Sequence, residues 1–309
     1  MSGAHPELSR VNWYGLKRII KRTLAFRPVN APLLKLINAT PPLRRRTNRF
    51  PVGLSHVECK VDAGETFLML DPLSCSVAKD IYWGSGRRGM PEDRVAAGIF
   101  ETLAIEADWI LDIGAYTGFF SLLACAVNRR VRAIAFEIVP ETYLLLWRNI
   151  IHNDVVARID ARLQGLGAPG DSMIIPDQFN CSELPSSISR RYQFTSGIRI
   201  PFGTLDDLAD EVAGRVLLKV DIEGTEDVLF RHGETFLLRH SPDILCEVLA
   251  SSSTAPQLSS LFKRLGYRTY QVMDSGLVER ETITPDRRFK DWFFAKDLKH
   301  LSSEVRAGS

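Results

Sequence analysis

Acidic side chains stand at the ends of three apolar runs that have the length of buried strands. Asp112 closes Trp-Ile-Leu-Asp, Glu137 closes Ala-Ile-Ala-Phe-Glu, and Asp221 follows Val-Leu-Leu-Lys-Val. In an open parallel sheet, ligands bind outside the carboxyl ends of the strands, so these carboxylates are predicted to converge on one crevice. A carboxylate there can bind hydroxyl groups or remove a proton from an acceptor. The sequence therefore places the function at this edge of the predicted sheet.

The first of these runs continues into a glycine turn, Asp112-Ile-Gly114-Ala-Tyr-Thr-Gly118. Glycine is favoured where a ligand approaches the backbone closely. The turn departs from the Gly-x-Gly-x-x-Gly pattern that holds a pyrophosphate, because Ala115 and Tyr116 follow Gly114. A ligand without phosphate, carrying a cationic sulfonium and an amino acid, suits this acidic strand end better than a dinucleotide does.

Glu137 has two interpretations. A carboxylate at the end of the second strand can accept hydrogen bonds from two ribose hydroxyls. It can also be an acid near a helix N-terminus, since a helix is predicted to begin near Pro140 and Glu141. The spacing of 19 residues from Gly118 is the one at which dinucleotide-binding folds place their ribose ligand, which favours the first interpretation.

The third run carries Lys219, Asp221 and Glu223, spaced by two. They share one face if the strand continues that far, and their burial is costly unless they pair with each other or with a ligand. They form either part of the site or an internal pair that closes the crevice. Glu247 ends the next predicted strand, and it can accept a substrate hydroxyl, act as a general base, or pair with Lys219.

The elements that position these groups alternate between short apolar runs and helical stretches, which indicates a doubly wound, mostly parallel α/β sheet. The predicted strands are residues 109–113, 131–137, 159–163, 216–221, 244–248, 269–273 and 291–295. The predicted helices are residues 92–106, 119–127, 141–152, 226–238 and 255–265. Between Gly165 and Thr204, a hairpin or flexible loop is predicted to replace a crossover helix and to carry substrate specificity.

Charge and composition divide the chain into four parts. The first 50 residues carry an excess of ten positive charges, and the remainder an excess of eight negative charges. We predict a basic N-terminal arm over 1–55, a small β-rich preamble over 56–95 packed on the core, the main domain over 96–300, and a tail over 301–309.

The arm contains a predicted amphipathic helix, with Trp13, Leu16 and Ile20 on one side and lysines and arginines on the other. Such a helix can dock on its own domain with a solvated basic face, or it can contact an anionic membrane or a polyanion. No apolar run approaches the roughly 18 residues needed to span a bilayer, and the start lacks a signal-peptide pattern. Both observations favour a cytoplasmic protein.

Histidines and cysteines contribute little to the predicted chemistry. His152, His232 and His240 lie on or beside predicted helices, where surface or capping roles are favoured over catalysis. The five cysteines are scattered and form no Cys-x-x-Cys pair, which argues against a zinc site or a disulfide framework and favours a reducing compartment.

Together these segments resemble the FkbM family of S-adenosylmethionine-dependent methyltransferases over roughly residues 80–296. The most family-specific segment is Lys219-Val-Asp-Ile-Glu-Gly-Thr-Glu226. The other matching pieces are the glycine turn, Ala135-Phe-Glu-Ile-Val-Pro140, Asn149 with Asn153, Thr204-Leu-Asp-Asp-Leu208, Ile244-Leu-Cys-Glu247 and Asp291-Trp-Phe-Phe. The resemblance implies a class I methyltransferase (Rossmann-like) sheet of seven strands, the last antiparallel, and methyl transfer, most often to a hydroxyl of a sugar, glycan, glycolipid or natural product.

The resemblance also implies roles for individual residues. The expected S-adenosyl-L-methionine site comprises Asp112, Gly114, Ala115, Gly118 and Phe119 at the methionine half, Glu137 at the ribose, Gln164 and Gly165 beside the adenine, and Asp221. Asp221 is the first choice for the base that deprotonates the acceptor, followed by Glu223 and Glu247, with Lys219 in the same catalytic group. Asp221 and Glu223 can also ligate Mg²⁺, but two side-chain ligands are an incomplete set, so a metal is not favoured.

Two other functions stay open at this level. The basic arm is the electrostatic footprint that an RNA methyltransferase would need, although no RNA-binding motif accompanies it, so a nucleic-acid partner is not favoured. A non-catalytic cofactor-binding scaffold can use the same fold, but the intact carboxylates Asp112, Glu137 and Asp221 argue against it. The identity of the acceptor and the oligomeric state have no recognisable sequence signal.

Overall fold

The computed structural model describes residues 32, 50–177, 179, 184–185 and 194–299, so the predicted helix of the basic arm and the tail lie outside the described residues. The described chain opens with an antiparallel pair, β1 (His56–Cys59) and β2 (Phe67–Leu70). Two helices follow, α1 (Ser76–Trp83) and α2 (Pro91–Ala104). The preamble is therefore less β-rich than the sequence predicts, because α1 and the start of α2 take up part of it. The side chain of Cys75 caps α1 by accepting a hydrogen bond from the amide of Ala78.

A mostly parallel sheet of eight strands forms the centre of the described chain. In chain order these strands are β3 (Trp109–Ile113), β4 (Arg132–Glu137), β5 (Ile159–Leu163), β9 (Val216–Val220), β10 (Asp243–Glu247), β11 (Arg268–Met273), β12 (Gly276–Arg280) and β13 (Asp291–Ala295). Their spatial order is β12-β11-β13-β10-β9-β3-β4-β5, with β13 antiparallel to both of its neighbours. This matches the predicted sheet with one addition, β12, a half-exposed edge strand that is too polar to form an apolar run.

Helices cover both faces of the sheet. The helices after α2 are α3 (Phe119–Val127), α4 (Pro140–His152), α5 (Glu226–Arg231), α6 (Glu234–His240) and α7 (Ala255–Arg264). The single helix predicted over 226–238 is two helices, with Gly233 at the N-cap of α6. A Cβ on Gly233 would lie 2.7 Å from a methyl carbon of Leu205. The helix is therefore interrupted where the chain packs closely against the loop that contains Leu205.

A small sheet lies between β5 and β9, and no helix joins these strands within residues 164–177 and 194–203, the parts of the segment that are described. It consists of β6 (Gly165–Leu166), β7 (Ser172–Ile175) and β8 (Ile198–Gly203), and it is followed by a short 3₁₀ helix, Asp206–Leu208. The strands β7 and β8 pair antiparallel, and β6 runs parallel to β8. The hairpin alternative predicted for this segment is therefore confirmed.

The central strands are buried on both faces, so their apolar residues divide between two cores. Leu217 and Leu245 face the core under α2, α3, α4 and the preamble, whereas Leu218 and Ile244 face the core under α5, α6 and α7. This division follows from the alternation of side chains along a strand. It also decides the face on which each polar residue at a strand end must lie.

Asparagine side chains attach the preamble to the main domain. Asn149 on α4 is fully buried, and its Oδ1 accepts a hydrogen bond from the amide of Leu70 at 2.9 Å. Its Nδ2 donates to the carbonyl of Thr117, inside the glycine turn, at 2.8 Å. Asn153 exchanges hydrogen bonds with both backbone groups of Leu68. The predicted domain boundaries stay predictions, but the strand β2 and the glycine turn are joined through one side chain.

No helix in the described ranges is long and apolar enough to cross a membrane.

We expect Asn149→Ala to lower the free energy of unfolding by about 2–4 kcal/mol, because it leaves two buried backbone groups without partners. Urea denaturation measures this difference. Leu144→Ala on the exposed side of the same helix is the matched control, and it should change stability by about 0.5 kcal/mol or less. Equal effects of the two substitutions would show that Asn149 does not brace the turn.

Candidate functional site

A cavity of about 580 Å³ opens at the carboxyl ends of β3, β4, β9 and β10. It is lined by every residue that the sequence predicted for the site except Gly118. The convergence has a simple geometric cause. Each strand-end residue lies two positions after a residue of the core under α3, so Asp112, Glu137, Lys219 and Glu247 all lie on that face of the sheet.

The glycine turn brings the ends of β3 and β9 together. Gly114 has a φ of +81°, and a Cβ there would lie 1.9 Å from the carbonyl oxygen of Asp221. Only glycine allows this approach. Gly118 has a φ of +87° and is the N-cap of α3, where a Cβ would meet Leu146 at 2.5 Å. Gly118 therefore shapes the turn and does not line the cavity.

Asp112 joins the turn to the helix that follows it. Its side chain is buried, and its Oδ2 accepts hydrogen bonds from the amide of Ser121 at 3.1 Å and the hydroxyl of Ser121 at 2.7 Å. Burial raises the pKa of Asp112, while the bonds from Ser121 and the charge of Lys219 act against the rise. One carboxylate oxygen thus holds the first turn of α3 in place at the cavity wall.

Glu137 fulfils part of both interpretations. Its Oε1 accepts hydrogen bonds from the amides of Ile138 at 2.8 Å and Val139 at 2.7 Å, just before α4 begins at Pro140. The same side chain lines the cavity. Burial raises the pKa of Glu137 to about 7, although the backbone amides favour the charged form. A ligand whose hydroxyls donate to this carboxylate would favour its ionisation further.

Lys219 is a buried cation at the floor of the cavity. Its Nζ lies 3.9 Å from Oδ2 of Asp221 and 3.8 Å from Oδ1 of Asp291, and 5.2 Å from the centre of the Phe120 ring. Burial by itself would lower the pKa of Lys219, but Asp221, Asp291 and Glu247 raise it, so the ammonium stays charged. Lys219 thus pairs internally and also lines the cavity, and its role in the site stays a prediction.

The carboxyls of Asp221 and Glu247 are neighbours, and each shifts the pKa of the other. About a third of the Asp221 side chain is exposed, and that part faces the cavity. Burial and the charge of Glu247 raise the pKa of Asp221 well above its usual value. Burial would also raise the pKa of Glu247, but Lys219 and Lys290 hold it below its usual value. Of the two carboxyls, Glu247 is therefore the more readily ionised.

Glu223 reaches the cavity by a different route from the one predicted. The strand β9 ends at Val220, so strand alternation does not extend to Glu223. Instead, Glu223 and Gly224 both have a positive φ, +59° and +102°, and the amide of Gly224 donates to Oε1 of Glu226 at 2.8 Å. This turn directs Glu223 toward the cavity, and the hydrogen bond to the buried Glu226 holds the turn in place.

The far end of the cavity lies beside β5. Gln164 and Gly165 line it, and Phe202 of β8 packs so closely on Gly165 that a Cβ there would lie 2.6 Å from the Phe202 ring. The small sheet thus provides an aromatic wall that the sequence did not predict.

Comparison with known proteins identifies the family. The family model described as the methyltransferase FkbM domain matches residues 112–269, about half of the chain. The chain belongs to the FkbM methyltransferase family. Methyltransferase sdnD of Sordaria araneosa is 25% identical over 190 residues, which cover 52% of this chain and 73% of that protein.

Two solved structures are similar to the chain. Methyltransferase FkbM from Methylobacillus flagellatus KT is 18% identical with a TM-score of 0.41, over 61% of this chain and 44% of that one, so this chain spans less than half of that protein's length. A SAM-dependent methyltransferase from Agrobacterium tumefaciens is 9% identical with a TM-score of 0.43, over 79% and 71% of the two chains.

Family membership confirms the predicted fold class, a class I methyltransferase sheet, to which β12 is added. The FkbM family uses S-adenosylmethionine, and the chemistry of the cavity fits that cofactor. Five carboxylates and three cationic side chains line the cavity, an acidic balance that suits a sulfonium. The buried carboxyl of Glu137 suits a ribose.

Sequence reasoning missed Arg88, Lys290 and Asp291. One signal was available for the last two, because an antiparallel final strand brings its amino end to the carboxyl edge of the parallel strands. Lys290 immediately precedes β13, lines the cavity and donates to Oε1 of Glu247 at 3.0 Å. Arg88 comes from the loop between α1 and α2, and no sequence pattern connects that loop with the cavity.

The residues outside the cavity are also informative. None of His152, His232 and His240 lines it. The ring of His240 is hydrogen-bonded at Nε2 to the carbonyl of Ala209 at 2.9 Å, and the ring of His152 lies 5.9 Å from that of His56. Within the described ranges, no group of three or more His, Cys, Asp or Glu residues is arranged to hold a metal ion.

The raised pKa of Glu137 predicts how the stability of the ligand-free protein changes with pH. The folded protein keeps this proton up to a pH of about 7, whereas the unfolded chain releases it near 4.5. The stabilisation is thus complete below pH 4.5 and is lost as the pH rises toward 7. Other buried carboxyls, such as Glu226, add to this pH dependence. We expect Glu137→Gln to make the decrease in the free energy of unfolding between pH 5 and 8 smaller by on the order of 1–3 kcal/mol.

Urea denaturation at several pH values measures this effect. The exposed Glu58→Gln is the matched control and should keep the full pH dependence. A pH dependence that is the same in the wild type and in Glu137→Gln would contradict the assignment.

Proposed function

We propose that the protein transfers the methyl group of S-adenosylmethionine to a hydroxyl of a sugar, glycan, glycolipid or natural-product acceptor. The observation that carries this proposal is the pair of carboxyls, Asp221 and Glu247, which line the cavity beside Lys219 and Lys290. When bound, the cofactor supplies a methyl group activated by a sulfonium cation. The contribution required of the protein is to position the acceptor and to remove one proton from it.

The cavity wall offers a place for each part of the cofactor. Glu137 would bind the ribose hydroxyls, and Gln164, Gly165 and Phe202 would surround the adenine. The wall formed by the glycine turn and the start of α3 would hold the amino-acid end, through Asp112, Gly114, Ala115 and Phe119. These assignments are supported by the order of the residues along one cavity, from the end of β5 past β4 to β3.

The opposite end of the cavity suits an acceptor rich in hydroxyl groups. Asp221, Glu223 and Glu247 line it together with Lys290. Carboxylates accept hydrogen bonds from hydroxyl donors, and the lysine can donate to ring or hydroxyl oxygens. A polyhydroxylated acceptor satisfies both kinds of group, which supports O-methylation.

The directions of the two pKa shifts favour one carboxylate as the base. Because the pKa of Asp221 is raised and that of Glu247 is lowered, Glu247 is the more readily ionised and takes the proton of the acceptor hydroxyl. Asp221, its neighbour, helps to orient it. Lys219 and Lys290 stabilise the negative charge of the pair before the proton arrives. This choice of Glu247 as the base differs from the prediction made from the sequence, in which Asp221 is the first choice.

We expect Glu247→Gln to lower turnover by roughly a hundredfold to ten-thousandfold, the usual contribution of a general base. Asp221→Asn should cost only about tenfold, because its amide replaces the hydrogen-bond donor of the protonated acid. Turnover is measured by methyl transfer to the best acceptor from a panel of glycans, glycolipids, natural products and tRNA.

Cofactor binding by both variants, measured by calorimetry, is the control and should stay within a few-fold of the wild type. The reverse order, with Asp221→Asn inactive and Glu247→Gln active, would assign the base to Asp221. A tRNA as the best acceptor would contradict the proposed acceptor class.

We expect the wild type to bind S-adenosylhomocysteine and not NAD, because the glycine turn lacks the middle glycine of a pyrophosphate site. Glu137→Ala should weaken S-adenosylhomocysteine by about 1.5–3 kcal/mol, the range for hydrogen bonds to a charged group. Calorimetry measures both effects. An unchanged affinity in Glu137→Ala would remove this residue from the ribose site.

A further inference from the structure

Arg88 is a cation of the cavity wall that lies outside the segment matched by the family model. It belongs to the loop between α1 and α2, whereas the match begins at residue 112. Its side chain is 17% exposed, and it lines the cavity together with Ser76 and Val77 of α1. The preamble therefore contributes a charged group to the cavity.

Two acidic residues hold the guanidinium of Arg88 in one orientation. Its Nε donates to Oδ2 of Asp80 at 2.9 Å, and its Nη2 donates to Oδ2 of Asp93 at 2.6 Å. Asp80 is itself held by the amide of Gly89 at 3.0 Å. Within the part of the chain that the structure describes, Nη1 has no hydrogen-bond partner. A rigid planar group with unused donors at a cavity wall suits a planar acceptor such as a carboxylate.

The other two cations of the wall already have partners. Lys219 is paired with Asp221 and Asp291, and Lys290 is bonded to Glu247. Arg88 is also charge-compensated, by Asp80 and Asp93, so recognition by it depends on directed hydrogen bonds more than on net charge. Arg88 differs from the two lysines in presenting its unused donors, those of Nη1, from a planar group held in one orientation by Asp80 and Asp93.

The position of Arg88 indicates which end of the cofactor it contacts. The carbon at the centre of its guanidinium lies 5.5 Å from the centre of the Phe119 ring. Phe119 is the first residue of α3 and directly follows the glycine turn. The guanidinium therefore stands beside the wall assigned to the amino-acid end of the cofactor, away from Gln164 at the other end.

We propose that Arg88 binds the α-carboxylate of the amino-acid end of the cofactor. This inference rests on the proposed function, because it requires S-adenosylmethionine in the cavity. It makes the preamble part of the cofactor site.

The test compares two ligands by calorimetry. S-adenosylhomocysteine carries the carboxylate. Its decarboxylated analogue, 5′-deoxy-5′-(3-aminopropylthio)adenosine, lacks the carboxylate and is otherwise the same molecule, with the amino group retained. We expect Arg88→Met to weaken S-adenosylhomocysteine about 10- to 100-fold, the range for a charge-assisted hydrogen bond. The same substitution should change the affinity of the analogue by about threefold or less, because the lost partner is absent from that ligand.

Asp93→Asn is the matched control. It removes one support of the guanidinium but keeps Nη1 and the bond to Asp80, so it should leave both affinities within a few-fold of the wild type. If Arg88→Met does not fold, the double variant Arg88→Met/Asp93→Asn removes the guanidinium together with one carboxylate that would otherwise lose its partner. The affinities of the two ligands are then compared in the double variant, with the same expected difference.

The outcomes separate the two proposals. A wild-type protein that binds neither ligand contradicts the proposed function itself. A wild type that binds both, with equal losses in Arg88→Met, would show that Arg88 only braces the loop. An unchanged affinity for S-adenosylhomocysteine together with a raised KM for the acceptor would assign Arg88 to an acceptor carboxylate, and it would overturn the cofactor assignment.

Discussion

The buried ammonium of Lys219 is the constraint on which the candidate site depends. A cation in the middle of an apolar sheet is tolerated only when carboxylates compensate it. Asp221 comes from the same strand end, Glu247 from the next strand and Asp291 from the antiparallel strand beyond it. Satisfying one lysine thus gathers acidic groups from three strands at one point of the cavity. Because the acids outnumber the cations there, burial and mutual repulsion raise the pKa of Asp221.

The excess of acidic groups around Lys219 shifts the pKa values of Asp221 and Glu247. Two carboxyls in contact cannot both be ionised at low cost, so their pKa values separate. The two lysines decide the direction of the separation, since Lys219 and Lys290 both favour the ionised form of Glu247. Glu247 is thereby the more readily ionised of two neighbouring carboxyls, and no histidine is among the described residues that line the cavity.

The preamble contacts the glycine turn of the family domain and forms part of the cavity wall. Asn149 connects its second strand to the glycine turn, and Ser76 donates to the hydroxyl oxygen of Tyr116 in the same turn at 3.3 Å. Tyr116 has a φ of +51°, a backbone conformation that needs support from its surroundings. The preamble gives this support and also brings Arg88 to the cavity. Residues before the segment matched by the family model therefore shape the candidate cofactor site.

The sequence by itself determined the parallel strands, the glycine turn and the convergence of Asp112, Glu137 and Asp221. These follow from local apolar periodicity and from the rule that strand ends meet at one edge. Only the tertiary structure decided the opposite pKa shifts of Asp221 and Glu247 and the presence of Arg88 in the wall. A pKa depends on burial and on charges that are distant in sequence, and the loop that carries Arg88 is positioned by packing, which leaves no periodic signal.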